Sequence, residues 1–253
     1  MTTLQFRIKQ GENIYTAAAN TAEICTDCNN NGGKNCLRYL CQHKYEPVGD
    51  QAKRACTAKD GMNTDLETIA VGMHNYYRRL VATGWAKDKI DGYAPTAKDM
   101  FAMYSECKAG DTLAEETKTI VTGCPSTPTQ GNQGRSLNYY YVSKYDIPRE
   151  QLLQQAITSW ANEVTGYGVG KENIFDPNGQ VTKYANMVHN KVENFACAVE
   201  ICKKQETQQW HVNTIATFRR PIDGDPIYEI GKPCKCTNNR ECSKLQGLCV
   251  LLP

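Results

Sequence analysis

Thr182–Cys202, TKYANMVHNKVENFACAVEIC, decides how this chain is read. The segment opens as a polar loop, passes through Met187 and Val188, and ends in the apolar run Phe195-Ala-Cys-Ala-Val-Glu-Ile-Cys202. A short run of this composition predicts a strand, and the cysteines at 197 and 202 suit a strand tied covalently to its neighbours. A second strand is predicted over Trp210–Phe218, where Val212, Thr214, Ala216 and Phe218 alternate with more polar positions.

Working outward, helical spacing dominates the centre of the chain. Leu66, Ala70, Met73, Tyr77, Leu80 and Val81 form one apolar stripe, with His74 at its edge. Thr64 and Glu67 fit a capping box and Gly84 a helix stop. A second helix is expected around Met100, Met103, Tyr104 and Cys107, and a third over Leu113, Thr117, Ile120 and Val121, stopping at Gly123. Asn138–Val142 reads as a strand. Pro148 suits the first turn of a helix whose broad apolar face is Leu152, Leu153, Ala156, Ile157, Trp160 and Val164. Glu163 shares that face and should be partly buried. Helices and strands interspersed without a βαβ rhythm predict an α+β layered sandwich.

Composition bounds the function. The 253 residues carry Lys+Arg 29 against Asp+Glu 27, so no charge excess argues for nucleic acid or an anionic membrane. No run approaches the roughly 18 apolar residues of a membrane span. Thirteen cysteines are too many for a reducing compartment unless they bind metal, which predicts a secreted, extracellular protein. The odd count leaves at least one thiol unpaired or intermolecular, so either a monomer or a disulfide-linked dimer is expected.

Two cysteine-rich stretches resemble each other. Phe6-Arg…Ile14-Tyr15 precedes Cys25, Cys28, Cys36 and Cys41, and Phe218-Arg…Ile227-Tyr228 precedes Cys234, Cys236, Cys242 and Cys249. A spacing of over 200 residues matches a whole domain rather than a solenoid unit. The expected organisation is a hinge or tail of a preceding domain at 1–45, a linker at 46–61 anchored by Cys56, a main domain at 62–228, and a C-terminal cysteine-rich hinge at 229–253. Each four-cysteine cluster should hold two disulfides, with three connectivities possible. Zinc is not expected there, because neither cluster contains two paired Cys-x-x-Cys units.

Three ordered motifs carry a family resemblance. His74-Asn75 with Arg78 and Arg79 resembles the HNxxR helix of the CAP superfamily (cysteine-rich secretory, antigen 5 and pathogenesis-related proteins). Trp160-Ala-Asn-Glu-Val164 resembles its WYxEV helix, and Thr182–Cys202 its HYTQMVW…GCAVxxC segment. The resemblance implies a three-layer α-β-α sandwich with cysteine-rich, hinge-like appendages. Within the superfamily, His74–Gly84 (HNYYRRLVATG) and Ala94-Pro-Thr-Ala97 are most similar to nematode activation-associated secreted proteins, also called venom-allergen-like proteins. On that likeness the chain resembles the C-terminal domain of a two-domain member.

The family's cavity, as the resemblance implies, is lined by two histidines and two glutamates that can hold a divalent metal. Here His74 matches one histidine and Glu163 one glutamate, but Lys183 stands at the second histidine and Gly134–Tyr140 offers no acid. A charged lysine has no lone pair to give a metal. The remnant cavity His74, Glu163 and Lys183 is therefore expected to hold no metal or other cofactor, with Glu163 paired to Lys183 or His74. The family also places a cysteine in the last strand where this chain has Ala216. Its absence orphans Cys197 or Cys202, and Cys202 is the expected free thiol. Cys25, Cys28, Cys36, Cys41, Cys56, Cys107, Cys124, Cys197, Cys234, Cys236, Cys242 and Cys249 are then the disulfide candidates.

No Gly-x-Ser-x-Gly turn or phosphate loop is present to support catalysis. The resemblance implies a secreted, non-enzymatic protein that binds host proteins and modulates immunity or haemostasis. A sterol or fatty-acid carrier is the alternative, and a metallohydrolase would need ligands the sequence lacks.

Overall fold

The computed structural model describes residues 62–106, 112–125, 135–143, 147–203, 210–219 and 221–252, with backbone alone at 36–37, 40–41, 112, 201–203 and 210–219. The chain divides into two compact units, Met1–Glu46 and Pro47–Pro253. In the first, β1 (Cys36–Leu37) pairs antiparallel with β2 (Leu40–Cys41).

Among the described residues, the second unit opens with α1, Thr64–Thr83. Its cap is Asn63, one residue before the expected capping box, with the Leu66 amide donating to Asn63 Oδ1 at 2.8 Å. Gly84 ends it at φ 78°, where a Cβ would lie 2.8 Å from Thr96 Cγ2. The buried stripe differs from the apolar stripe expected. It runs through Leu66, Ala70, His74, Arg78 and Ala82, while Met73, Tyr77 and Leu80 only flank the core. His74 thus sits at the centre of the buried face, not its edge.

After α1 come a short hairpin, β3 (Lys87–Asp88) with β4 (Gly92–Tyr93), and the two-residue strand β5 (Tyr104–Ser105). The helix expected around Met100–Tyr104 is instead extended chain. Met100, Phe101, Ala102, Met103 and Tyr104 are all buried, and a continuous apolar run fits a helix or a strand by spacing alone. Partners decide it: the Phe101 amide donates to Asn190 O, Ala102 to Cys249 O and Tyr104 to Glu193 O.

α2 (Thr112–Val121), β6 (Arg135–Val142), α3 (Arg149–Ala161) and the single turn α4 (Glu163–Gly166) follow. Pro148 lies just outside α3, accepting from the Leu152 amide. Thr182–Val188, expected as loop, is helix α5, with Tyr184 through Val188 all buried. It has no side-chain cap, so tertiary burial sustains its seven residues.

The main sheet has the order β5-β7-β8-β6, where β7 is Asn194–Lys203 and β8 is Trp210–Arg219. β5 runs parallel to β7, and the other pairings are antiparallel. Along β7, Phe195, Cys197 and Val199 face the core shared with α1, α3 and α5. Ala196 packs with Leu113 and Ala114, and Ala198 with Val121, on the α2 side. Both faces of β7 are covered, which is why its sequence is continuously apolar. The result is an α-β-α sandwich. Trp160 joins its layers: the ring is fully buried and Nε1–H donates to Tyr139 O at 3.2 Å. Burial of each such side chain contributes about 1.5–3 kcal/mol.

The C-terminal cysteine-rich segment is built into this domain rather than appended to it. β9 (Arg240–Cys242) pairs antiparallel with β10 (Cys249–Leu251), and the disulfides are Cys234–Cys242 and Cys236–Cys249. Leu248, Cys249 and Val250 are buried. The Cys249 amide donates to Met100 O at 2.7 Å, and Arg79 Nε to Gln246 O at 3.1 Å. In both cysteine clusters the third and fourth cysteines are partners across an antiparallel pair, Cys36 with Cys41 and Cys242 with Cys249.

Candidate functional site

The three expected cavity residues come from three helices, and two of them meet. Glu163 opens α4 directly behind the buried face of α3, and Lys183 is the second residue of α5. Glu163 Oε2 accepts the Tyr184 amide at 2.9 Å, and Oε1 lies 3.6 Å from Lys183 Nζ. The carboxylate is largely covered while the lysine is nearly half exposed. Burial raises the Glu163 pKa above the usual carboxylate range, against the Tyr184 amide and the Lys183 charge. A pair with one partner in solvent contributes little stability, about 0–1 kcal/mol.

His74 has a different role. It is wholly buried, its Nδ1–H donates to Ala70 O at 2.7 Å, and its ring packs on Phe195 at 4.4 Å between centroids. Burial lowers its pKa to about 4, helped by the charge of Arg78, so the ring is neutral at physiological pH.

These residues do not fit a divalent cation. Glu163 is engaged by an amide and an ammonium, and His74 is packed against an aromatic ring inside the core. Arg135, at the segment where an acid was sought, pairs with Glu116. Among the described residues no three His, Cys, Asp or Glu side chains converge as a ligand set would require.

The residues beside His74 are the ones the sequence reading undervalued. Asn75 is buried and clamps the extended segment in both directions: its Nδ2 donates to Met103 O at 2.9 Å, and its Oδ1 accepts the Met103 amide at 2.8 Å. Arg78 is fully buried and donates only to carbonyls. Nε and Nη2 reach Phe101 O, Nη1 reaches Met187 O and His189 O, and Nη2 also reaches Asn190 O and Val192 O. Burial lowers its pKa to about 9, which still leaves it charged at neutral pH. The HNxxR helix thus pins two irregular segments by their backbones. The signal was present in the i, i+4 spacing of Ala70, His74 and Arg78, which places both polar residues on the buried face.

A second polar cluster holds the start of α5. Asn138, buried on β6, donates from Nδ2 to Lys183 O at 2.9 Å and accepts from Asn186 Nδ2 at 2.8 Å. Behind it Tyr184 and Tyr228 are buried side by side, their phenols raised in pKa by burial.

The cysteine expectations divide. Cys197, expected in a disulfide, is a buried free thiol, and burial pushes its pKa up. Its partner across β7 and β8 is Ala216, so no second sulfur faces it. Cys124 is disulfide-bonded. The side chains of Cys202, Cys36 and Cys41, and all of Cys25, Cys28, Cys56 and Cys107, lie outside the described residues.

Comparison with known proteins bears on the fold. The family profile "CAP: Cysteine-rich secretory protein family" matches residues 71–216, more than half of the chain. The chain is 26% identical to the Ancylostoma secreted protein of Ancylostoma caninum, over 90% of this chain and 54% of that protein. It therefore spans about half the length of that relative. It is 24% identical to Hookworm platelet inhibitor 1 of the same organism, covering 72% of this chain and 79% of that protein. Among solved structures, NaASP2 with Zn2+ superposes with a TM-score of 0.66 at 28% identity, covering 77% of this chain and 100% of that one.

Proposed function

The chain belongs to the cysteine-rich secretory protein family, and from that premise we propose that it is a secreted, non-enzymatic protein that acts by binding proteins of a host. The observation that carries this reading is the state of the cavity residues. Glu163 is spent on Lys183 and the Tyr184 amide, and His74 on the core, so neither is poised as a base or metal ligand. Recognition then falls to the molecular surface. Two disulfides in the C-terminal segment support an extracellular setting. No helix among the described residues is long and apolar enough to cross a membrane. A relative named as a platelet inhibitor supports blood cells as the first target to test.

The test uses the whole chain, fluorescently labelled, on washed platelets and leukocytes before and after surface proteolysis. Saturable binding that proteolysis abolishes is the expected result. Absence of binding to either cell type overturns the host-protein reading. Native mass spectrometry of the same material separates the alternatives: a lipid-extractable excess mass would turn the reading to a carrier, and a tightly held zinc would overturn the account of Lys183.

A further inference from the structure

Directly after the Gly84 stop, the segment Trp85–Tyr93, which contains the β3–β4 hairpin, exposes large side chains to solvent. Trp85 is 67% exposed, Ile90 64% and Tyr93 52%, and Tyr167 in the neighbouring loop is 52% exposed. The Trp85 and Tyr93 rings meet edge to face at 6.3 Å. Lys87 is the cross-strand partner of Tyr93, so the two share a face, and Lys89 follows two residues on. Both lysines are exposed, and neither joins an ion pair among the described residues.

The hairpin is held rigid from below. Buried Asp88 accepts the Ile90 and Asp91 amides through Oδ1, at 2.7 and 3.0 Å, and the Val169 amide through Oδ2 at 2.6 Å. The Lys89 amide donates to Val164 O, and Ala94 to Ala86 O. Gly168, at φ 82°, lets the next loop close on Ile90, since a Cβ there would lie 2.6 Å from Ile90 Cγ1. Fixed aromatic side chains lose little entropy on docking, and tryptophan and tyrosine are the side chains on which interfaces concentrate their energy.

We propose that this hairpin is a docking surface for an acidic segment of a partner protein, one that sets an apolar side chain against Trp85 and Tyr93 and carboxylates against Lys87 and Lys89. The assignment rests on the protein-binding function proposed above and locates it. The unpaired lysines supply the charge complementarity. Asp91, the exposed acid of the hairpin, lies at the turn and not between them. Two lysines are fewer than the clusters of about four to eight that hold proteins to anionic bilayers, which favours a protein over a lipid surface.

The test selects phage-displayed random peptides on the immobilised whole chain, then measures synthetic copies against wild type, Trp85→Ala and the double variant Lys87→Glu/Lys89→Glu. Circular dichroism and urea midpoints check that each variant folds. Peptides with Asp or Glu beside an apolar residue are expected, weakened about tenfold or more by Trp85→Ala. The double variant should reject them and prefer their lysine-substituted versions. Peptides that bind all three proteins equally would overturn the hairpin assignment and leave the protein-binding function standing. Peptides lost on Trp85→Ala yet indifferent to charge reversal would overturn the acidic class. Failure to select any peptide would count against both proposals. Trp85-dependent sedimentation with phosphatidylcholine vesicles containing about 30% phosphatidylserine would replace the partner with a membrane. Trp85-dependent dimerisation in the ultracentrifuge would replace it with a second copy of this chain.

Discussion

At the scale of single residues, the most consequential side chain is one that touches no ligand. Arg78 places a fully buried guanidinium among five carbonyl oxygens drawn from Phe101 and the 187–192 segment, with no carboxylate among those partners. Carbonyls at the ends of irregular segments have no ladder to join, and a planar donor fork satisfies several together. Lysine cannot reproduce that fork. Arg78→Lys should destabilise the domain by about 1–3 kcal/mol, the cost of leaving a buried polar group unsatisfied, read as a lower urea midpoint. A loss below about 1 kcal/mol would show that water or another side chain takes over those carbonyls. Asn75 beside it was legible in the sequence only as part of a motif. Its work, two hydrogen bonds to one residue 28 positions away, depends on chain crossing and on nothing local.

At the scale of elements, local signals and tertiary override can be told apart. α1 is locally specified: an Asx cap, acids Asp65 and Glu67 in the first turn, and a glycine at its left-handed end. Asn63→Ala should cost about 1 kcal/mol, and Asn63→Asp should cost far less because a carboxylate caps as well; thermal unfolding of both variants checks it. α5 is the opposite case. Its polar start gave a loop by pattern, and it folds as helix because Tyr184–Val188 find a buried site and Glu163 and Asn138 receive its first turn. The 100–105 segment errs the other way. Its apolar residues suit a helix in isolation, yet Arg78, Asn75, Glu193 and Cys249 together draw its backbone out.

At the scale of the whole molecule, stability should depend on pH through His74. Unfolded, the ring takes a proton near pH 6.5; folded, it resists until about pH 4. The depressed folded value means this contribution is complete above about pH 6.5, declines as pH falls through the interval, and is gone below about pH 4. The span corresponds to roughly 3 kcal/mol, at about 1.4 kcal/mol per pH unit. Urea midpoints at pH 7 and pH 4.5 should therefore diverge more in the wild type than in His74→Gln; parallel losses would place the acid sensitivity elsewhere. The sequence alone determined the family, the α-β-α class and most element positions, because motif spacing and apolar periodicity are properties of residue order. Only the tertiary structure decided that His74 is central and neutral, that Cys197 is a thiol opposite Ala216, and that the C-terminal cysteine segment is woven into the domain. Those outcomes turn on which distant backbone or side chain arrives beside a given atom, and burial and pairing exist only once the chain has closed on itself.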